Sequence, residues 1–234
     1  MSLESLIRLS LLALLLCSGK AFTASPLQFN ISLATFSNEL SQPSITAIYK
    51  DRTGFLWIGT QSGLNKYDGS NTTIFNSNRT PPHRLPASYI SQISQSLDGT
   101  LWIATYGGGL ARYDERTGSF DPITGSSSRK YNLLRSLFIQ SNGMIWVGTK
   151  DKGVGVYDPT LDRFDSWLPS NQINVEIGTA FEIIEDGFGQ IWAAGKNGLY
   201  LIDRETRLIT AHPFPNNPSR PLLSAPQLNT LDQG

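Results

Sequence analysis

The 234 residues carry 19 basic and 19 acidic side chains, so the chain is formally neutral. That balance excludes a sequence-blind nucleic-acid binder, which needs a basic surface to displace counterions. Only 16% of residues are charged, 39% are apolar, and 21 glycines and 13 prolines are present, which excludes disorder for most of the chain and favours a turn-rich β protein. Cys17 is the single cysteine, so an internal disulfide and a cysteine-rich metal site are both excluded.

In chain order, residues 1–24 read first as a secretory signal peptide. Arg8 precedes the apolar run Leu9–Cys17, and small residues follow in Ser18-Gly19-Lys20-Ala21, with cleavage expected near Ala21 or Ala24. The apolar run falls short of the roughly 20 residues a bilayer-spanning helix needs. Residues 25–44 are expected to form a lead-in strand.

From residue 45 onward the chain repeats itself. Trp57, Trp102, Trp146 and Trp192 are 45, 44 and 46 residues apart, and each has a glycine three places earlier: Gly54, Gly99, Gly143 and Gly189. Each is followed by a further glycine, an apolar residue and an aspartate (Asp68, Asp114, Asp158, Asp203). In the first copy, Ile45–Lys50, Phe55–Thr60, Leu64–Asp68 and Thr72–Asn76 read as strands separated by glycine-bearing turns. Alternation puts Leu56 and Ile58 on one face and Phe55 and Trp57 on the other, so both faces are apolar. With no amphipathic helix to cover them, such sheets are covered by stacking on one another, and radial stacking gives a β-propeller. The expected fold is all-β, with four visible four-stranded blades near 45–89, 90–133, 134–180 and 181–213. Residues 214–234 then read as a connection and the start of a fifth blade, because Leu228-Asn229-Thr230-Leu231 echoes Ile45-Thr46-Ala47-Ile48. On this reading the chain is a truncated part of a larger, seven-bladed type of propeller; a completed four-blade ring is the alternative.

The unit D-x-x-G-x-(L/I)-W-(I/V)-(G/A)-T, carried from Asp51, Asp98, Asn142 and Asp186 and closing at Asp68, Asp114, Asp158 and Asp203, resembles the two-component-regulator propeller repeat. The copies differ in detail: Ser96 and Gln140 stand where the first and fourth carry Asp51 and Asp186. The resemblance implies a periplasmic sensor region of a membrane-bound signalling protein, with a histidine-kinase or diguanylate-cyclase output domain beyond a transmembrane helix. It also implies further propeller blades and leaves a homodimer open. Streptogramin-lyase-like enzymes share a similar Asp-Gly-x-Leu-Trp repeat, and a stand-alone interaction scaffold is the third reading.

Candidate chemistry is sparse. His83 and His212, the two histidines, lie beside prolines and are expected in exposed linkers. No HExxH, GxSxG or GxxxxGK sequence occurs. Gly107-Gly108-Gly109 falls at a blade turn and is expected to be a plain loop. The repeated aspartates at strand ends fit Asx turns better than a metal ring. No enzyme activity, cofactor or metal is therefore expected. The loops after the Trp strands keep their place while their chemistry varies: Gln61, Tyr106, Lys150 and Lys196. Varied tips on a rigid scaffold make these the candidate ligand-binding residues, suited to a carbohydrate or another small ligand.

Overall fold

The structure, a computed structural model, describes residues 39–124, 128–165, 177–203, 206 and 208–213. The signal-peptide reading, most of the expected lead-in strand at 25–44 and the fifth-blade reading at 214–234 lie outside the described residues, and residues 39–44 form no strand. Among the described residues the architecture is all-β, four antiparallel four-stranded sheets in simple chain order. The first sheet is β1 (Ile45–Lys50), β2 (Leu56–Thr60), β3 (Leu64–Tyr67) and β4 (Thr72–Phe75). The second is β5 (Ile90–Gln95), β6 (Leu101–Thr105), β7 (Gly109–Asp114) and β8 (Ser119–Pro122). The third is β9 (Leu134–Ile139), β10 (Ile145–Thr149), β11 (Val154–Asp158) and β12 (Arg163–Asp165). The fourth is β13 (Ala180–Glu185), β14 (Ile191–Gly195), β15 (Gly198–Ile202) and β16 (Ile209–Pro213).

The repeated glycine and tryptophan belong to one local device, the turn between the first two strands. Gly54, Gly99, Gly143 and Gly189 have φ of 97°, 92°, 86° and 79°, where a side chain is strained, and an added Cβ would meet almost nothing. The requirement is conformational. Each glycine N–H donates to the carbonyl three residues back (Asp51, Ser96, Gln140, Asp186), closing the turn at 2.8–3.1 Å. The side chain of that same residue accepts the indole N–H: Trp57 to Asp51 at 2.7 Å, Trp102 to Ser96 at 3.2 Å, Trp146 to Gln140 at 3.1 Å and Trp192 to Asp186 at 2.9 Å. The indole can then be buried without an orphaned donor.

The core lies between sheets. Trp57 packs with Phe75, Ile90, Ile93 and Leu101, Trp102 with Leu134, Leu137 and Tyr157, and Trp146 with Ile183, Ile191 and Tyr200. Every one of these tryptophans faces the next blade. Trp57 meets Tyr113 edge-on at 5.0 Å, and Trp102 meets Tyr157 at 5.7 Å. Two residues after each Trp the chain is small (Gly59, Ala104, Gly148, Ala194), and in the first three blades the next blade's first strand crosses there. A Cβ on Gly59 would lie 2.7 Å from Ile90, and one on Gly148 would lie 2.7 Å from the carbonyl of Ala180.

The two outer faces differ from the three junctions. Ile93, Leu137 and Ile183 face the preceding blade and are at most 3% exposed, whereas Ile48, at the same place in the first blade, is 62% exposed. At the other end Ile184 and Leu199 are exposed beside half-buried Trp192, around an apolar hollow of about 340 Å³. The first and fourth sheets therefore do not cover one another.

Candidate functional site

Threonine and backbone hydrogen bonds tie down the loops after the Trp strands. At the end of the second strand a fully buried threonine hydroxyl spans the loop: Thr60 to the Gly63 carbonyl, Thr105 to Gly109 and Thr149 to Gly153, at 2.8–3.1 Å. The next residue's N–H is bound by the connection entering that blade. Tyr106 donates to the Tyr89 carbonyl at 2.9 Å, Lys150 to Leu133 at 3.0 Å and Lys196 to Thr179 at 3.2 Å. The Lys150 carbonyl in turn accepts the Thr179 hydroxyl of the following blade. These loop starts are fixed by backbone bonds while their side chains remain free to vary.

Of the four loop residues singled out from the sequence, Tyr106 and Lys150 are brought together. The Lys150 Nζ lies 5.8 Å from the Tyr106 ring centroid. Two neighbours that the sequence did not single out complete the group: the Arg135 guanidinium at 5.4 Å from the same ring, and the Tyr89 ring at 5.4 Å. Gln61 and Lys196 are exposed at the equivalent places in the first and fourth blades, outside this group. Arg135 and Tyr89 were legible in principle. They flank the first residues of β9 and β5, at the same end of the blades as the Trp-strand loops, but their identities do not repeat and so carry no pattern.

The remaining motifs are occupied structurally. In the triple-glycine loop, Gly107 and Gly109 both donate their N–H to the Asn132 carbonyl, at 2.8 and 3.1 Å, and a Cβ on Gly108 would strike Pro86. Those amides are not available to cradle a phosphate. Asp68 accepts from the N–H of Ser70 and Asn71, Asp114 from Arg116 and Thr117, Asp158 from Thr160 and Leu161, and Asp203 from Thr206. Each carboxylate is bound into its own turn. Among the described residues no three His, Cys, Asp or Glu side chains converge on a metal-sized site, and no helix is long and apolar enough to cross a membrane. His83 is exposed in the first inter-blade connection, with Phe75 5.7 Å away. His212 departs from the linker expectation: it is a residue of β16, paired with Leu199 and packed on Trp192 at 5.4 Å. The strand continues through it because the Ile202–Ile209 pairing carries the register up to Pro213.

Residues 39–62, which span β1, the glycine turn and the Trp strand β2, match the family model described as Two component regulator propeller. Histidine kinase P4 of Formosa agariphila is 30% identical over 168 residues, covering 64% of this chain and 12% of the kinase. The extracellular domain of a hybrid two component system from B. thetaiotaomicron superposes with a TM-score of 0.67 at 21% identity, covering 76% of this chain and 26% of that one. A second such domain from the same organism gives 0.59 at 22% identity, covering 73% and 22%. The chain thus spans about an eighth of the length of the curated relative it matches. The indole clasp and glycine turn of residues 39–62, the stretch that resembles the two-component-regulator propeller repeat, recur in four successive sheets, and the fold they build is that of a β-propeller.

Proposed function

We propose that this segment is the extracytoplasmic, ligand-sensing part of a membrane-anchored bacterial signalling protein of the histidine-kinase or diguanylate-cyclase type. It is exported by the leader at 1–24 and works without catalysis of its own, passing ligand occupancy on to the output domain. Partners are a carbohydrate or other small ligand, further blades of the same propeller, and a second copy of the signalling protein. The observation that carries the reading is the contrast between frame and rim. Turn, indole clasp and threonine latch recur from blade to blade, while Tyr106 and Lys150, on pinned loop starts, gather with Arg135 and Tyr89. A rigid scaffold with varied side chains at one end is how binding sites are built without moving parts. The similarity to a histidine kinase and to extracellular domains of hybrid two component systems supports the output assignment.

The test uses the intact signalling protein in membranes, with kinase or cyclase output measured against periplasmic and polysaccharide-digest fractions. The expected result is ligand-dependent output that Tyr106→Ala lowers by about tenfold in ligand sensitivity while the melting temperature holds. Output that no fraction alters, or that is indifferent to rim substitutions, contradicts the proposal.

A further inference from the structure

In every blade the first strand slips by one residue against the second at the same place. Pairing jumps from Ile45 to Ala47, from Ile90 to Gln92, from Leu134 to Ser136 and from Ala180 to Glu182. Thr46, Ser91, Arg135 and Phe181 are thereby left out of the ladder. Such a bulge bends its strand and re-aims the side chain of the extra residue, and bulges concentrate beside functional sites. Here the bulge lies at the end of the blade where the Trp-strand loops are pinned. Two of the four side chains are spent on backbone: Thr46 Oγ1 donates to the Ile90 carbonyl at 2.6 Å, and Ser91 Oγ to the Ala104 carbonyl at 3.0 Å. Phe181 is half exposed. Arg135 is exposed and lies over Tyr106.

We infer that the rim between the second and third blades binds a saccharide bearing a carboxylate or sulfate, with bulge-borne Arg135 and loop-borne Lys150 reading its charge beside the rings of Tyr106 and Tyr89. The inference rests on the sensor reading and specifies its ligand. Both cations sit within 6 Å of one ring centroid. Neither has an acidic partner within 4 Å among the described residues, where ion pairs engage Arg112, Arg116 and Lys152 instead. Asp151, the acid next to Lys150 in sequence, pairs with Lys152 at 3.6 Å. Two uncompensated cations at an aromatic surface suit a single anionic group. The guanidinium fork matches the geometry of a carboxylate or sulfate, and the tyrosine faces suit the apolar side of a pyranose. The backbone bonds that hold Tyr106 and Lys150 reduce the ordering that binding would otherwise require. A polyanionic nucleic acid would demand a longer run of cations than this pair.

The intact protein is titrated by calorimetry with a glucuronate-terminated disaccharide, a sulfated disaccharide, their neutral glucose-containing counterpart, and a tetraglutamate peptide. At least one acidic sugar is expected to bind about tenfold more tightly than the neutral one, with affinity falling as salt is raised. Arg135→Gln and Lys150→Gln should each weaken it by about tenfold or more and remove the preference, Arg135→Lys should restore part of it, and Thr46→Val should leave it unchanged. Equal binding of acidic and neutral sugars overturns the inference, as does unchanged affinity in Arg135→Gln with its melting temperature preserved. Tighter binding of the peptide, or no binding of either acidic sugar, overturns it as well. If another ligand then drives output, the sensor reading survives without this one; acidic-sugar binding with no change in output leaves the reverse.

Discussion

At the scale of single residues, the frame turns on how each indole N–H is satisfied. In the first and fourth blades one aspartate does two tasks. One oxygen of Asp51 takes the Trp57 indole at 2.7 Å while the other accepts the N–H groups of Thr53 and Phe55. Asp186 treats Trp192, Phe188 and Gln190 likewise. In the second blade the tasks are divided: Ser96 takes the indole and Asp98 takes the Thr100 N–H at 3.0 Å. In the third, Gln140 takes the indole and Asn142 the Met144 N–H at 3.0 Å. Removing the acceptor beneath the most deeply buried indole, by Gln140→Leu, should lower stability by about 1–3 kcal/mol, read from urea unfolding. The two aspartates also make stability depend on pH. Burial pulls the Asp51 carboxyl upward, but hydrogen bonds from Trp57, Thr53 and Phe55 outweigh it and hold it below its ordinary value. The Trp192 indole, with the Gln190 and Phe188 amides, holds Asp186 down against the effect of burial. A pKa depressed in the folded state contributes stability that is present above the unfolded value, about 4, and fades as pH falls toward the folded one. Unfolding midpoints should therefore drop below about pH 4, and Asp51→Asn with Asp186→Asn should lessen that drop without abolishing it, since Asp68, Asp98, Asp114 and Asp158 are held low as well. The Trp and Gly spacing was legible in the sequence because those residues repeat. The substitutions at Ser96 and Gln140 read there as departures, since exchange of one acceptor for another shows only when the indole's partner is seen.

At the scale of strands and loops, small residues and threonines mark where backbone meets backbone. Gly148 lies where β10 is crossed by β13, and a Cβ there would sit 2.1 Å from Ser136 Oγ as well as 2.7 Å from the Ala180 carbonyl. Gly148→Ala should destabilise by about 1–3 kcal/mol through overpacking, measured by the same urea midpoint. Each junction also fills its gap differently, and this the repeat could not disclose. Gly155 leaves room for the Tyr131 ring arriving from the connection between blades, at 2.4 Å from where a Cβ would be. At the corresponding register in the fourth blade Tyr200 supplies the ring itself, and in the first Asn65 binds Ser41 and the Ile58 carbonyl. The strands of the first blade were readable to within a residue at either end, because alternation and turn glycines are local signals. The assembly of Arg135 and Tyr89 with Tyr106 and Lys150 was not, because it joins residues from two blades and depends on a bulge that leaves no mark in the hydrophobic pattern.

At the scale of the whole described unit, stability comes from interfaces between blades that repeat in one direction. Each of the first three tryptophans is buried by the blade after it, and Trp192, the fourth, is left half buried over an apolar hollow. An uncovered apolar sheet face of this kind is the expected seat of association for the isolated segment. The directional packing itself is open to a direct measurement, the unfolding midpoints of four single variants, Trp57→Ala, Trp102→Ala, Trp146→Ala and Trp192→Ala. Trp57→Ala, Trp102→Ala and Trp146→Ala should each cost about 3–5 kcal/mol, as full deletion of a buried aromatic does, and Trp192→Ala markedly less. Equal losses at all four positions, or the largest loss at Trp192, would contradict stacking in which every indole depends on the following blade.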